Sequence, residues 1–491
     1  MAASADELMG LLEHWLPQQR WFPAKGSVVT VSVAAVLPGV SRPERHSEVR
    51  VLRLAYPDAQ GTPVVTLLQV PLLFLKVTDQ SPDDGAALPG DAGLIGTVSS
   101  AGGEDGSPAV PGPWHVYDAP QRREYLDEVL ASTSLNAHSE NPGEHAGIQA
   151  RRGPDAAKSI ALSDPLFSMD PMRSEQSNTS IVLNAQGRGM IVKFFRTLSA
   201  GQNPEVELGA VLTRLGTQDV PATLGWLEAH WQDQGVAYRA DLAVIHEFLP
   251  GGSDAWGAAL DAAARGESFA RQAHAIGQGT ARIHRRLAEG LPVSTAPEGV
   301  LSRLAARVRD SWAQVRAVVG PYDAEIEALL TSLSAVPAQP QRIHGDLHLG
   351  QILTVQSPSA GAERWIFLDF EGEPLRPISE RALPDLPLRD VVGLLRSLDY
   401  AAGAAQRQVA GAEVSDGWVA ECSAAFLEGY SSVVPGRIDQ RSPLFMALWL
   451  DKALYEVRYE QSNRPGWLDI PVSAARATLD ELAGPDAKGK P

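Results

Sequence analysis

The chain has one cysteine, Cys422, among its 491 residues, which excludes an intrachain disulfide and any cysteine-rich metal centre. Cys422 sits among apolar residues of helical pattern, the setting of a buried, inert thiol rather than a reactive one. No apolar run reaches membrane-spanning length. The start, Met1-Ala-Ala-Ser-Ala-Asp-Glu, has no basic stretch followed by an apolar core, so no secretory signal is visible and the cytoplasm is the expected compartment. Cations are outnumbered: 42 Lys and Arg against 59 Asp and Glu leave a formal charge of −17. That balance argues against nucleic acid as a general partner, because phosphate backbones need clustered Lys and Arg. An anionic nucleotide would need a local cationic site working against the overall field. A Gly-x-Ser-x-Gly nucleophile elbow is also missing, which removes support for a hydrolytic serine.

What is present is a pair of motifs. Residues 342–351 read Arg-Ile-His-Gly-Asp-Leu-His-Leu-Gly-Gln, and 369–374 read Asp-Phe-Glu-Gly-Glu-Pro. Asp346 supplies a carboxylate able to take the proton of an acceptor hydroxyl. Gln351 supplies an amide oxygen, and Asp369 a carboxylate at the end of the apolar run Trp365-Ile-Phe-Leu. Both are oxygen ligands of the kind Mg²⁺ prefers. This is the division of labour of phosphoryl-transfer sites, where positioning and charge neutralisation do most of the catalysis. Glu371 shares an extended face with Asp369 and reads equally as a third cation ligand or a solvated carboxylate. His344 and His348 lie four apart, but Gly345 between them argues against the helix a zinc pair would need. We assign His344 to shaping the loop and His348 to polar support of the substrate.

A nucleotide side is expected further toward the amino terminus. Ser177, Asn178, Thr179 and Ser180 are small or polar residues before a strand, suited to facing phosphates with amides and hydroxyls. Lys193 interrupts the apolar strand Met190-Ile-Val-Lys-Phe-Phe, where a lysine needs a reason to be. We read it as a contact to the α- and β-phosphates, held by a helix carboxylate: Glu207 first, because its neighbours are apolar, with Glu205 as the alternative. Val244-Ile-His-Glu-Phe-Leu-Pro-Gly-Gly has the form of a hinge, whose backbone near Glu247 and Leu249 would meet an adenine edge.

On the acceptor side, Arg389 and Asp390 open a helical segment. Arg389 reads as an ion pair for the catalytic loop or as a substrate ligand. The last long helical pattern carries Asp451, Lys452, Tyr455, Glu456, Tyr459 and Glu460 in four-residue steps. Asp451, Tyr455 and Glu456 would suit a sugar, with carboxylates on hydroxyls and a ring under an apolar face. A surface helix with intrahelical ion pairs would look the same.

Periodicity places these motifs in a strand-rich half followed by a helix-rich half. A helix is expected over 6–22, and strands over 28–37, 48–55 and 63–77. A Gly-, Pro- and Ser-rich stretch at 80–112 reads as a mobile insertion, 120–132 as a short helix, and 133–160 as loop. Strands follow at 180–183, 190–195, 224–229, 236–239 and 242–248, with a helix at 204–215 between them. The chain is then helical from about 251, with segments at 268–288, 300–319, 323–336, 386–410, 416–430 and 443–464. The expected class is α+β, a two-lobed protein-kinase-like plan with an extra N-terminal β-rich cap. Its parts are a cap (1–132), an N-lobe with nucleotide-binding strands (133–250), and a helical C-lobe with the catalytic loop and acceptor site (251–491).

These residues resemble a known family. Trp15-Leu-Pro-Gln-Gln-Arg-Trp-Phe-Pro-Ala-Lys, Ser177-Asn-Thr-Ser, His344-Gly-Asp-Leu-His-Leu-Gly-Gln, Asp369-Phe-Glu-Gly-Glu-Pro and Leu450-Asp-Lys-Ala-Leu-Tyr-Glu-Val-Arg-Tyr-Glu look like actinobacterial maltokinases. Those enzymes share the broader aminoglycoside phosphotransferase-like fold. The resemblance implies ATP- and Mg²⁺-dependent phosphorylation of maltose at its anomeric hydroxyl. It also implies a role feeding α-glucan synthesis from trehalose-derived maltose, with trehalose synthase as a functional partner. Two features depart from the family pattern: longer polar insertions at 80–112 and 133–160, and a less basic Ser379-Glu-Arg-Ala-Leu-Pro-Asp stretch. The rival readings are a kinase of the same fold acting on glucosamine or an aminoglycoside, and an inactive kinase-like binding module. Intact Lys193, Asp346, Gln351 and Asp369 argue against the second.

Overall fold

The computed structural model describes residues 2–57, 61–77, 92–101, 110–135, 147–155, 168–172, 177–185, 188–294, 298–333, 336–356, 363–373, 376–408, 414–415 and 417–484. The chain divides into two compact units, Met1–Thr213 with Pro221–Pro250, and Arg214–Val220 with Gly251–Pro491.

The first unit holds α1 (Ala2–Trp15), β1 (Thr30–Arg42), β2 (Arg45–Pro57), β3 (Pro63–Lys76), β4 (Leu94–Ala101), β5 (Val110–Asp118), α2 (Arg123–Leu135), β6 (Gly147–Arg152), β7 (Ser168–Pro171), β8 (Asn178–Ala185), β9 (Arg188–Phe195), β10 (Thr197–Leu198), α3 (Pro204–Arg214), β11 (Thr223–Asp233) and β12 (Val236–Glu247). One antiparallel sheet runs β1-β2-β3-β5-β4, with the short β10 added to β3; the other runs β6-β11-β12-β9-β8-β7. The first sheet's central strands β2 and β3 are buried on both faces over much of their length. Leu52 and Leu54 of β2 join the cluster under α1 with Leu8, Leu12, Leu16 and Trp114. Val49 and Val51 of the same strand, one register step away, pack with Ile181, Val192, Phe194 and Leu227 of the second sheet. Burial on both faces explains why β3 reads as a nearly continuous apolar run. Within that run Gln69 is fully buried, and its amide donates to the carbonyls of Phe195, at 2.6 Å, and Leu242.

Three expectations change here. The 80–112 stretch is not an insertion throughout, because 94–101 is a strand and Val110 begins another. Gly96 and the serine pair Ser99 and Ser100 hide that strand from propensity, while Val98 and Ala101 bury against α1's cluster. Residues 78–91 and 102–109 lie outside the described residues. Within 133–160, α2 runs on to Leu135 and 147–152 form β6. The polar side chains of β6 are satisfied across the ladder: Arg151 donates to Glu228 of β11 at 2.6 Å. Burial opposes ionisation of Glu228, but Arg151 and Arg239 outweigh it and bring its carboxyl down to about 2. Residues 136–146 and 156–160 lie outside the described residues. Finally, the three strands expected over 224–248 are two, joined at Gln234 and Gly235, whose φ angles of 50° and 79° make the left-handed pair a tight hairpin requires.

The second unit holds β13 (Ser253–Asp254), α4 (Ala255–Ala264), α5 (Ala270–Gly290), α6 (Glu298–Val319), α7 (Asp323–Ser332), β14 (Ile352–Gln356), β15 (Glu363–Phe367), α8 (Ile378–Arg381), α9 (Leu388–Gln408), α10 (Trp418–Val433), α11 (Pro443–Asn463) and α12 (Asp469–Ala483). The β13-β14-β15 sheet is a small platform among these helices. The residues joining β14's leading turn to β15's exit carry both motifs. Cys422 is buried in α10, and burial pushes its thiol up to about 11. Among the described residues no helix is long and apolar enough to cross a membrane.

Candidate active site

In the first unit Lys193 lies on β9, opposite Ser180 of β8 and Val244 of β12. Its ammonium is buried and sits 2.7 Å from Glu205 Oε2. The other oxygen of Glu205 lies 3.3 Å from His246 Nε2. Burial opposes a charge on Glu205, yet Lys193 and His246 outweigh it and hold the carboxyl well below the usual range. The partner is therefore Glu205 and not Glu207. Flanking apolar residues mislead on a helix, because adjacent positions point in different directions. Glu205 shares its face with the buried Leu208, Gly209 and Leu212, whereas Glu207 is half-buried.

The polar residues before β9 are placed differently from the expected phosphate loop. Ser177 is exposed outside the strand, but β8 already begins at Asn178. The Thr179 hydroxyl accepts from Arg196 Nε at 2.8 Å, and Ser180 is buried in the ladder. Arg196 itself is fully buried, gripping Asp118 with bonds of 2.7 and 2.8 Å and lying 4.5 Å over the ring of Trp21. At the expected hinge the Glu247 amide donates to the Ala222 carbonyl and the Phe248 amide to the Gly189 carbonyl. An adenine edge would have to use the next amide, that of Leu249.

In the second unit the loop 344–351 is held from below. Asp390, near the start of α9, accepts the His344 and Gly345 amides, and His284 Nε2 lies 2.9 Å from Asp390 Oδ2. Gly345 has φ +86°, a conformation an L side chain rarely adopts, and this reversal delivers Asp346. His344 Nε2 donates to the Leu368 carbonyl at 2.7 Å, tying the first motif to the second. His348 Nδ1 accepts the Gly350 amide at 3.1 Å, and burial pushes its pKa down, so it is a neutral cap of its own turn.

Asp346 Oδ1 lies 3.1 Å from Lys452 Nζ, which also bonds Glu373 Oε1 at 2.9 Å. Burial disfavours the charge on Asp346, but the Lys452 ammonium outweighs it and keeps the carboxyl below its ordinary value. The same balance raises Lys452: burial lowers it, and Glu373 and Asp346 more than compensate. Neither Lys452 nor Glu373 had been given a role from sequence. The available signal was an Asp-Lys pair directly after the apolar run 444–450, and a second acid closing the Asp-Phe-Glu-Gly-Glu segment.

Gln351 Nε2 donates to Asp369 Oδ2 at 3.0 Å. Asp369 has φ +61°, one of two non-glycine residues in the left-handed region among the described residues. A carboxylate oxygen of Glu371 lies within 4.8 Å of one of Asp369. Two carboxylates this close, with the Gln351 side-chain amide beside Asp369, are a donor set that fits a hard divalent cation.

The proposed acceptor ligands divide sharply. Arg389 is buried, bonding Asp385 at 2.9 Å and Asp451 at 2.7 Å. Asp451 is buried too, with Arg307 at 3.4 Å and Arg376 at 3.7 Å as further partners; against the cost of burial these cations bring its carboxyl down to about 2. Both residues are thus consumed by an internal ion network, and a sugar cannot reach them. Glu456 is ion-paired with Arg396 at 2.7 Å but keeps part of its surface, and Tyr455 is half-buried with Lys452 5.1 Å over its ring. The open ridge of α11 is Lys452, Tyr455, Glu456 and Tyr459, at helical steps of three and four. The basic character sparse at 379–385 is assembled instead from separate elements: Arg303, Arg307, Arg376, Arg381 and Arg389 line one small cavity.

Fold and residues together define a phosphotransferase of the protein-kinase-like class with an added N-terminal cap. Residues 169–422 match the model of the phosphotransferase enzyme family, and the chain belongs to that family. Residues 15–121 match the maltokinase N-terminal cap domain, so the resemblance to maltokinases as a family is borne out. A glucosamine kinase of Streptacidiphilus jiangxiensis is 29% identical over 370 residues, 68% of this chain and 79% of that one. A glucosamine kinase of Mycolicibacterium smegmatis (strain ATCC 700084 / mc(2)155) is 27% identical over 385 residues, 74% of this chain and 91% of its own. A solved glucosamine kinase in complex with glucosamine, ADP and inorganic phosphate aligns over 94% of this chain and 96% of its own, with a TM-score of 0.60 at 20% identity. That likeness speaks for the fold.

Proposed function

We propose that the chain transfers the γ-phosphoryl group of ATP to the anomeric hydroxyl of maltose, giving maltose 1-phosphate and ADP. Asp346 takes the hydroxyl proton as the new P–O bond forms and the bond to the ADP oxygen breaks. Lys193, oriented by Glu205, takes the nucleotide phosphates, and the Leu249 amide the adenine. Gln351 and Asp369 would hold Mg²⁺, which when bound neutralises phosphate charge. The open face of α11 with Tyr455 forms a wall for the sugar ring. By this reading the enzyme works in the cytoplasm and feeds α-glucan synthesis, drawing maltose from the reaction of trehalose synthase.

The maltose assignment is carried by the cap: the match over 15–121 is to the maltokinase cap domain. Glucosamine is the competing acceptor, because the curated relatives carry that name. ADP release measured with maltose, glucose, glucosamine, trehalose and kanamycin separates them. Turnover is expected with maltose, and rapid turnover with glucosamine in its absence would overturn the acceptor.

A further inference from the structure

We infer that Lys452 selects the acceptor by charge, admitting a neutral sugar and disfavouring one that carries an ammonium group. The inference rests on Asp346 being the base. The Lys452 and Asp346 side chains keep 15% and 18% of their surface while Glu373 keeps 2%, so the first two open outward and the third is the buried anchor. Glu373 is also bound by Arg376 at 2.5 Å. Two cations thus balance the two carboxylates at the place where the hydroxyl must arrive. Glu456, on the same helix face, is already neutralised by Arg396.

A hydroxyl giving its proton to Asp346 comes within roughly 3 Å of that carboxylate. Substituents on the neighbouring ring carbons then lie about 6 Å from the Lys452 ammonium. Two unit charges at that separation, in an effective dielectric near 20, repel by an amount equivalent to about 100-fold in binding. Asp346, nearer the same substituents, attracts an ammonium by a comparable amount, so Lys452 cancels an attraction that would otherwise favour an amino sugar. Without Lys452, Asp346 and Glu373 would face the acceptor with one cation between them, and the site would attract an amino sugar.

Glucose and glucosamine differ at one carbon, hydroxyl against ammonium, and isolate the effect. Their inhibition constants against maltose phosphorylation are measured at about pH 6.5, where such an amine is protonated, in wild type and Lys452→Met. In wild type glucosamine should bind no more tightly than glucose, and in the variant it should gain at least about tenfold relative to glucose. Because the readout is a ratio within one preparation, loss of folded protein does not move it. If the variant has no turnover, calorimetric binding of the two sugars supplies the ratio. Tighter binding of glucosamine than of glucose in wild type, or an unchanged ratio in the variant, overturns the inference. Glucosamine turned over as fast as maltose also overturns it and leaves maltose as an acceptor. Turnover of another neutral sugar in place of maltose removes the maltose assignment and leaves selection by charge standing.

Discussion

One carboxylate oxygen of Asp390 accepts the amide of His344 and the other accepts that of Gly345, each at 2.9 Å. The residue fixes the turn from which Asp346 projects, and His284, itself 2.9 Å from the Tyr430 hydroxyl, braces it from α5. Asp390→Asn keeps the shape but sets an NH₂ against one buried amide, which costs about 1–3 kcal/mol locally. We expect kcat to fall at least about tenfold while KM for ATP stays within about threefold. An unchanged kcat in steady-state assays would contradict this support role.

Asp346→Asn removes the proton acceptor while keeping the loop's volume. Turnover should fall by about 10²–10⁴, with ATP affinity by calorimetry within a few-fold of wild type. Retained turnover would remove Asp346 from the role of base.

Lys193 and Glu205 are tested by a contrast along one helix. Glu205→Gln weakens the partner that orients Lys193, whereas Glu207→Gln changes a half-buried neighbour on another face. KM for ATP should rise about tenfold in the first and in Lys193→Met, and stay within about twofold in the second. Equal effects at positions 205 and 207 would undo the pairing.

How far the sequence was legible follows from which interactions are local. The two motifs, the Lys193 strand and the long amphipathic helices α5 and α9 declare themselves through spacing. What stayed hidden depends on distant partners. Lys452 meets Asp346 across 106 residues, and Arg151 meets Glu228 across 77. The face of α3 that turns Glu205 inward, like the face of α11 that buries Asp451, is set by the helix's packing. In both places a one- or two-residue choice of face moved a candidate from the site to the interior or back.

Asp241 gives a pH dependence with a definite sign. Its Oδ2 accepts the Asn203 amide at 2.7 Å, and its Oδ1 is buried without a hydrogen-bond partner among the described residues. Burial pushes its pKa up to about 6 from an ordinary 3.8. The folded state therefore holds the proton more tightly, so stability falls as pH rises from about 4 through 6 and is level above. Asp241→Asn should gain about 1–3 kcal/mol over wild type above about pH 7 and nothing below about pH 4. Denaturant melts at the two pH values check this, and a gain equal at both would contradict it.

The most direct measurement of the central claim is the product itself. Wild-type protein incubated with ATP, Mg²⁺ and maltose should release ADP and yield a sugar phosphate whose anomeric proton couples to phosphorus in NMR spectra, identifying maltose 1-phosphate. No phosphorylated maltose, alongside ready phosphorylation of glucosamine by the same preparation, would contradict the account.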